Sequence, residues 1–238
     1  WEEMAPLVDA CRALGFRASF HAPHKEPYNP AGFSSGDRPR IERLFEPALA
    51  RAARLAEREG LTILVVHGAK GTGSREALRR DTEAFLAWIR ERAPTLQPAL
   101  ELRVREPDVV KIGDSRADLL AFTARSAVPG LGICWDLGHD ARNGYAPPPS
   151  GFLKTVTHVH VHDLSPSGQD HYPLVYRNAP YEDGLRRLRE TGYEGACILE
   201  VDGRSVARMA REGDVSYMDL LRTSLHKMAE PFSPQRDH

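Results

Sequence analysis

The chain has 238 residues, 41% of them hydrophobic and 27% charged, with a formal net charge of −1. This is ordinary globular composition, and it excludes attraction to nucleic acid or anionic membrane through net charge, although a local basic patch is compatible with a neutral total. The apolar runs are strand-sized, far short of the roughly 20 residues of a membrane span, and no signal-peptide pattern opens the chain. The three cysteines, Cys11, Cys134 and Cys197, are few, odd in number and set in apolar segments, as reduced thiols in a cytoplasmic protein would be.

Residues 2–15 (EEMAPLVDACRALG) predict a helix ending at Gly15, with Leu7, Ala10, Cys11 and Leu14 on one stripe. FRASFH follows as a strand. A polar loop rich in Pro and Gly then runs over residues 22–39, longer than a simple connector. Next come a helix over 41–59, the strand LTILVVH (61–67), a helix over 75–92 and the strand PALELRV (98–104). DSRADLLAFTARSA predicts a helix with Asp114 as N-cap, leading to the strand LGICWD (131–136). THVHVHDL (157–164) is a strand with His158, His160 and His162 on one face and Thr157, Val159 and Val161 on the other. A helix over 181–192, the strand EGACILEV (194–201) and a helix over 216–230 complete the chain.

Strands alternating with helices imply parallel pairing through right-handed crossovers, and near-continuous apolar strands imply a sheet covered by helices. Six strand–helix units with no break in composition predict a single domain over residues 1–238. An open doubly wound sheet accepts six strands. A TIM (β/α)8 barrel needs eight, so the barrel reading makes the chain N-terminally incomplete, with the first two strands lying outside the sequence.

Each predicted strand delivers a His, Asp or Glu at or near its C-terminal end: His21, His67, Glu101, Asp136 with His139 just beyond, His160 and His162, and Glu200. In parallel α/β folds that edge is where ligands bind. A single such residue is commonly a polar cap, but capping does not select His, Asp and Glu at six strand ends together. The mixture suits zinc, manganese, iron or cobalt better than calcium or magnesium. At roughly 3.3 Å per residue His158 lies about 13 Å from His162, so one ion cannot reach all three histidines, and His158 reads as packing or as a donor to a metal ligand. His24 reads equally as an exposed loop residue; His226 and His238 carry no signal. HGAKGTGS lacks the GK[ST] ending of a phosphate loop, and REALRRDTE is a solvated helix face.

SFHAP, VVHGAKG, ALEL, GLGICWDLGHD, HVHVHD, DHYPL and ILEV, in this order from about Phe20 to Val201, resemble the xylose isomerase-like barrel superfamily. That superfamily includes endonuclease IV and bacterial sugar or sugar-phosphate isomerases and epimerases. The resemblance implies that His21 ends the third barrel strand. In the isomerase and epimerase branch it implies one divalent ion held by Glu101, Asp136, Glu200 and His160. In the endonuclease branch it implies three zinc ions, adding His21, His67, His139 and an Asp-x-His pair whose histidine is His171. Here Gln169 stands at that aspartate position and Asp170 is adjacent to His171; VYRNAPYE replaces a glycine-rich segment, and Leu102 replaces an asparagine.

The expected activity is therefore a metal-dependent (manganese, zinc or cobalt) isomerisation or epimerisation of a small sugar, a related ketone or its phosphate. The ion stabilises an enediolate, Glu101 and Glu200 transfer the proton, and His67, Lys70, His139 and His162 contact substrate. The expected partner is a small carbohydrate, with homo-oligomerisation compatible and no membrane. The alternative is a zinc phosphodiesterase cutting DNA at abasic sites, the only reading with a nucleic-acid partner. A catalytically dead binding barrel is the third, disfavoured because nearly every ligand position is retained.

Overall fold

Segments such as TILVV and GICWD can bury both faces only where helices cover a parallel sheet, and the structure, a computed structural model, places them so. It describes residues 9–10, 13–15, 17–57, 62–213 and 215–233. By internal contacts the chain divides into two compact units. The first comprises Trp1–Leu100, Val109–Ile112 and Arg125–Leu131. Its parallel strands lie in the order β1 (Phe20–His21), β2 (Thr62–Val66) and β4 (Leu96–Glu101), with Phe20 opposite Leu64 and Leu64 opposite Pro98. A short antiparallel ladder joins β3 (Lys70–Gly71) to β5 (Val110–Lys111). Helices α1 (Arg38–Ala56) and α2 (Arg75–Arg92) supply Ile41, Phe45, Phe85 and Trp88 to a core that also takes Phe33 from the long loop. That loop is tied down by Asp81 of α2, whose carboxylate accepts the Gly32 N–H at 2.7 Å and the Ser34 N–H at 2.9 Å.

The second unit comprises Glu101–Asp108, Gly113–Ala124 and Gly132–His238, and so begins with the last residue of β4. It contains α3 (Arg116–Thr123), then β6 (Gly132–Asp136), α4 (Leu137–Arg142), α5 (Ser150–Leu153), β7 (Val156–Val161), α6 (Tyr181–Glu190), β8 (Ala196–Leu199), α7 (Gly203–Glu212) and α8 (Tyr217–Ala229). Strands β6, β7 and β8 are parallel and adjacent in that order. Trp135, Phe152, Val159, Val161, Tyr181, Leu185 and Leu188 fill the core, each at most 1% exposed. Gly132 is required where β6 meets β7, because a Cβ there would stand 2.1 Å from the Thr157 hydroxyl.

The structure revises three sequence expectations. The N-cap of α3 is Ser115, not Asp114: its hydroxyl accepts the Asp118 N–H at 3.1 Å, while the Asp118 carboxylate accepts the Gly113 N–H, a reciprocal arrangement close to a capping box. β4 starts two residues earlier than expected and stops at Glu101, because beyond it Arg103 N turns to bond Gly113 O at 2.8 Å. Helix α7 falls where no helix is expected, although Asp202, which caps Ser205 N, opens it and Val206 turns inward. Most of the helix expected over residues 2–15, Cys11 and His238 lie outside the described residues. Cys134 and Cys197 are free thiols. Among the described residues no helix is long and apolar enough to cross a membrane.

The loop after β7 is organised by one side chain. Asp163 is fully buried, and its carboxylate accepts five backbone N–H groups, those of Leu164, Tyr176, Arg177, Asn178 and Ala179, at 2.6–2.9 Å. Charged hydrogen bonds of this kind contribute about 1.5–3 kcal/mol each and are not additive. Asp163→Asn places an amide N–H against two of those donors. It is expected to cost about 3 kcal/mol, read as a fall in Tm of roughly 6–12 °C; an unchanged Tm would mean that other contacts hold the loop.

Candidate metal centre

Four strand ends of the second unit converge. Glu101 closes β4, and the next residue bonds Cys134 O through its N–H at 3.0 Å. Asp136 closes β6 and lies opposite His160 in the ladder, while His160 lies opposite Ile198, so that Glu200 emerges just beyond β8 with its N–H on Val161 O at 3.0 Å. His160 Nδ1 stands 2.8 Å from Glu200 Oε2, 3.4 Å from Glu101 Oε1 and 4.0 Å from Asp136 Oδ2. One ligand atom from each of Glu101, Asp136, His160 and Glu200 lies within 4.8 Å of the others. Glu101, Asp136 and His160 are buried and Glu200 is half-buried.

Asp136 belongs to a second group of the same size with His139, His162 and His171. It is also the N-cap of α4: Oδ1 accepts the His139 N–H at 2.7 Å and faces His162 Nε2 at 3.0 Å. His162 Nδ1 accepts the His171 N–H at 3.0 Å, and the two rings stack at 4.4 Å. Both nitrogens of the fully buried His162 are thus engaged within the protein. His139 Nδ1 lies 3.0 Å from Leu102 O; donating its proton there fixes the tautomer and leaves Nε2 with a free lone pair. Asp170 lies 4.0 Å from that Nε2, but its carboxylate is bound by Arg142 at 2.6 Å and faces His171 Nδ1 at 3.3 Å.

In the first unit His21 and His67 gather with His24, ring centroids 4.6–5.1 Å apart and ligand atoms within 4.8 Å. Lys70 pairs with Glu26 at 3.0 Å. His158 is buried against His160 at 5.4 Å. His24, which the sequence reads equally as an exposed loop residue, joins this group, and a residue that sequence reasoning did not single out is Gly138. A Cβ on Gly138 would fall 2.0–2.5 Å from the His162 ring, so DLGHD needs its glycine for the imidazole to lie beside Asp136.

The electrostatics are those of crowded acids. Burial opposes charge on Asp136, yet His139 and His162 beside it bring its pKa down to about 2. Burial likewise opposes charge on His160 and on Glu200, but the pair hold each other charged: Glu200 is lowered and His160 raised well above the ordinary imidazole range. Cys134 also faces His160, but burial pushes its thiol up to about 12. At neutral pH it is therefore Glu101 and Glu200 that favour the proton on His160.

A divalent cation fits this donor set. Asp136 Oδ2 is buried and accepts no hydrogen bond, although His139 Nδ1 is only 3.2 Å away, because that proton is directed at Leu102 O. Three carboxylates and one imidazole suit manganese, zinc or cobalt.

A family model described as xylose isomerase-like TIM barrel matches residues 2–223. The chain belongs to that family. Its fold is accordingly that of the (β/α)8 barrels, as the resemblance implies, and not the open doubly wound sheet that the strand–helix alternation also allows. Solved structures agree. A D-tagatose 3-epimerase-like protein is 22% identical at a TM-score of 0.68, over 98% of this chain and 85% of that one. D-allulose 3-epimerase from Methylomonas sp. is 16% identical at 0.70, over 95% and 82%. An L-ribulose 3-epimerase is 17% identical at 0.64, over 98% and 84%. No curated protein sequence matches the chain significantly.

Gly138→Ala is expected to cost about 1–3 kcal/mol through overpacking and to displace the His162 ring, measured as a lower Tm and shifted imidazole NMR resonances. Gly151→Ala, at a helical site with open space around the new methyl, should leave both unchanged. Equal behaviour of the two variants would contradict the close approach of Gly138 to His162.

Proposed function

We propose that the chain is a divalent-metal-dependent sugar isomerase or epimerase that moves a proton at a carbon next to a carbonyl. The observation that carries this reading is the pair of carboxylates, Glu101 and Glu200, in one group with Asp136 and His160. The similar solved structures include 3-epimerases of ketoses by name, which supports the same class of substrate here. A bound manganese, zinc or cobalt ion supplies Lewis-acid polarisation of adjacent carbonyl and hydroxyl oxygens.

Glu101 and Glu200, on separate strands, take the proton from one side of the carbon and return it from the other, the contribution expected of placed general bases and acids. Asp136, held ionised, stays a ligand rather than an acid. His162 fixes Asp136 by facing Oδ1, and His139 presents Nε2 for a substrate hydroxyl. One catalytic domain is supported by a family match that runs unbroken over residues 2–223, and a cytoplasmic setting by the free thiols of Cys134 and Cys197.

The second group, Asp136 with His139, His162 and His171, supports one competing reading, a multi-zinc phosphodiesterase acting on abasic DNA. Elemental mass spectrometry separates the two: about one ion per chain for the epimerase, two or three zinc ions for the phosphodiesterase. For the epimerase, Glu101→Gln and Glu200→Gln should each lower kcat by about 10²–10⁴-fold, and Asp136→Asn should lose the bound metal. Solvent deuterium should enter the ketose beside its carbonyl. Fully metal-loaded protein that leaves a panel of ketoses and ketose phosphates free of deuterium ends the proposal.

A further inference from the structure

Beside His171 lies a polar pocket that the proton-transfer residues do not use. Its volume is about 340 Å³, and its walls are the loop after β7, through Ser165, Ser167, Gln169 and Tyr172, and helix α7, through Arg208. The loop wall is pre-arranged. Ser165 Oγ accepts the Gln169 N–H at 3.0 Å and lies 2.9 Å from Ser167 Oγ, and Ser165 N bonds Gln169 O at 2.8 Å. Tyr172 is fixed by its backbone bridge to Asp163, and its hydroxyl donates to Gln169 Oε1 at 3.1 Å. Arg208 closes the ring by donating to that same hydroxyl. The helix is docked at this point because Asp202 N bonds His171 O at 2.8 Å and Val206 is fully buried.

Among the described residues Arg208 has no carboxylate within ion-pair distance. Tyr172 orients its guanidinium without neutralising it. Glu212, one turn further along α7, is the single carboxylate in the lining, and no ion pair joins it to Arg208. A guanidinium that Tyr172 orients, with no carboxylate partner and with one hydroxyl proton of the Ser165–Ser167 pair beside it, is a donor set that a phosphate accepts. The loops after the last two strands of a (β/α)8 barrel are a recurrent place for such a group. Gln169 and Tyr172 bracket Asp170 and His171 in the chain, and His171 Nε2 lies 3.9 Å from Glu200 Oε2, so the loop that walls the pocket also reaches the group of Glu200.

We propose that this pocket binds the phosphate of a phosphorylated substrate through Arg208, which Tyr172 orients, supported by the hydroxyl proton that the Ser165–Ser167 pair has to spare. That the phosphate is carried by a sugar rests on the isomerase or epimerase reading; the anion site itself does not. The test uses the metal-loaded protein with inorganic phosphate as probe, followed by calorimetry, for the wild type, Arg208→Gln, Arg208→Lys and, as a control elsewhere on α7, Arg211→Gln. Phosphate affinity should fall at least 10-fold in Arg208→Gln, recover in part in Arg208→Lys and stay unchanged in Arg211→Gln, with Tm unaltered throughout. Phosphate that fails to bind the wild type, or binds Arg208→Gln equally because it sits on the metal, overturns the site. A ketose phosphate should then be turned over with a KM at least 10-fold lower than its unphosphorylated ketose, an advantage lost in Arg208→Gln. Phosphate binding that depends on Arg208 without turnover of any ketose would keep the anion site and sink the epimerase reading.

Discussion

Three carboxylates packed into one small volume set the terms for everything around them. At an effective dielectric constant near 20, two like charges 4 Å apart repel by about 4 kcal/mol, and Glu101, Asp136 and Glu200 form three such pairs in a largely dry pocket. Nothing apolar could take the place of their surroundings. The imidazoles of His139, His160 and His162 stand where the carboxylates converge, and the low pKa of Asp136 reflects the proximity of His139 and His162. His160 and His162 are both raised above the ordinary imidazole range by the acids beside them, yet two imidazolium charges do not match three carboxylates. Such a group could hold a multiply charged cation, and its excess of acids is unlike a structural ion-pair network, in which the charges match.

The backbone around the site is arranged to keep those groups where they are. Asp136 is at once the end of β6, the N-cap of α4 and a member of both clusters, so its orientation is fixed by a helix terminus and not by side-chain contacts alone. One residue further, Leu137 is fully buried, and Gly138 yields the space in which His162 lies. Asp163, next to His162 in sequence, spends its whole carboxylate on backbone N–H groups of the following loop. Its backbone meanwhile bridges Tyr172, which keeps the His171 N–H on His162 Nδ1.

How much of this was legible in the sequence depends on the periodicity of each part. Alternation along THVHVHDL separates the faces of β7, and apolar runs ending in His, Asp or Glu give the strand ends, because both follow from the two-residue repeat of a strand. Helix α7 escaped because it is short and mostly polar, so its inward stripe is hardly more than Val206. Asp114 and Ser115 are both good caps, and only the reciprocal bond from Asp118 decides between them. The role of Gly138 depends on a ring 24 residues away in sequence, and the gathering of His24 with His21 and His67 on the path of a long loop. Tertiary approach of this kind leaves no local pattern.

Asp170 bears on the choice between one ion and several. Its displacement by one residue from the Asp-x-His spacing suggests a lost ligand, yet its carboxylate still comes within 4.0 Å of His139 Nε2 and 3.3 Å of His171 Nδ1. What separates it from a free ligand is Arg142, 2.6 Å away. That ion pair is partly exposed and by itself worth at most about 1 kcal/mol, so a cation could displace it. The guanidinium would nevertheless remain nearby, and an approaching divalent ion would meet its positive charge as well as the carboxylate. His162 adds to the obstacle, since its Nδ1 is taken by the His171 N–H and its Nε2 is turned to Asp136. The second group therefore offers a cation fewer open donors than its membership implies, whereas Asp136 Oδ2 keeps an unclaimed acceptor aimed at the first. On the function proposed above, the group that could hold a single ion is Glu101, Asp136, His160 and Glu200, which leaves His139 and His171 for a substrate.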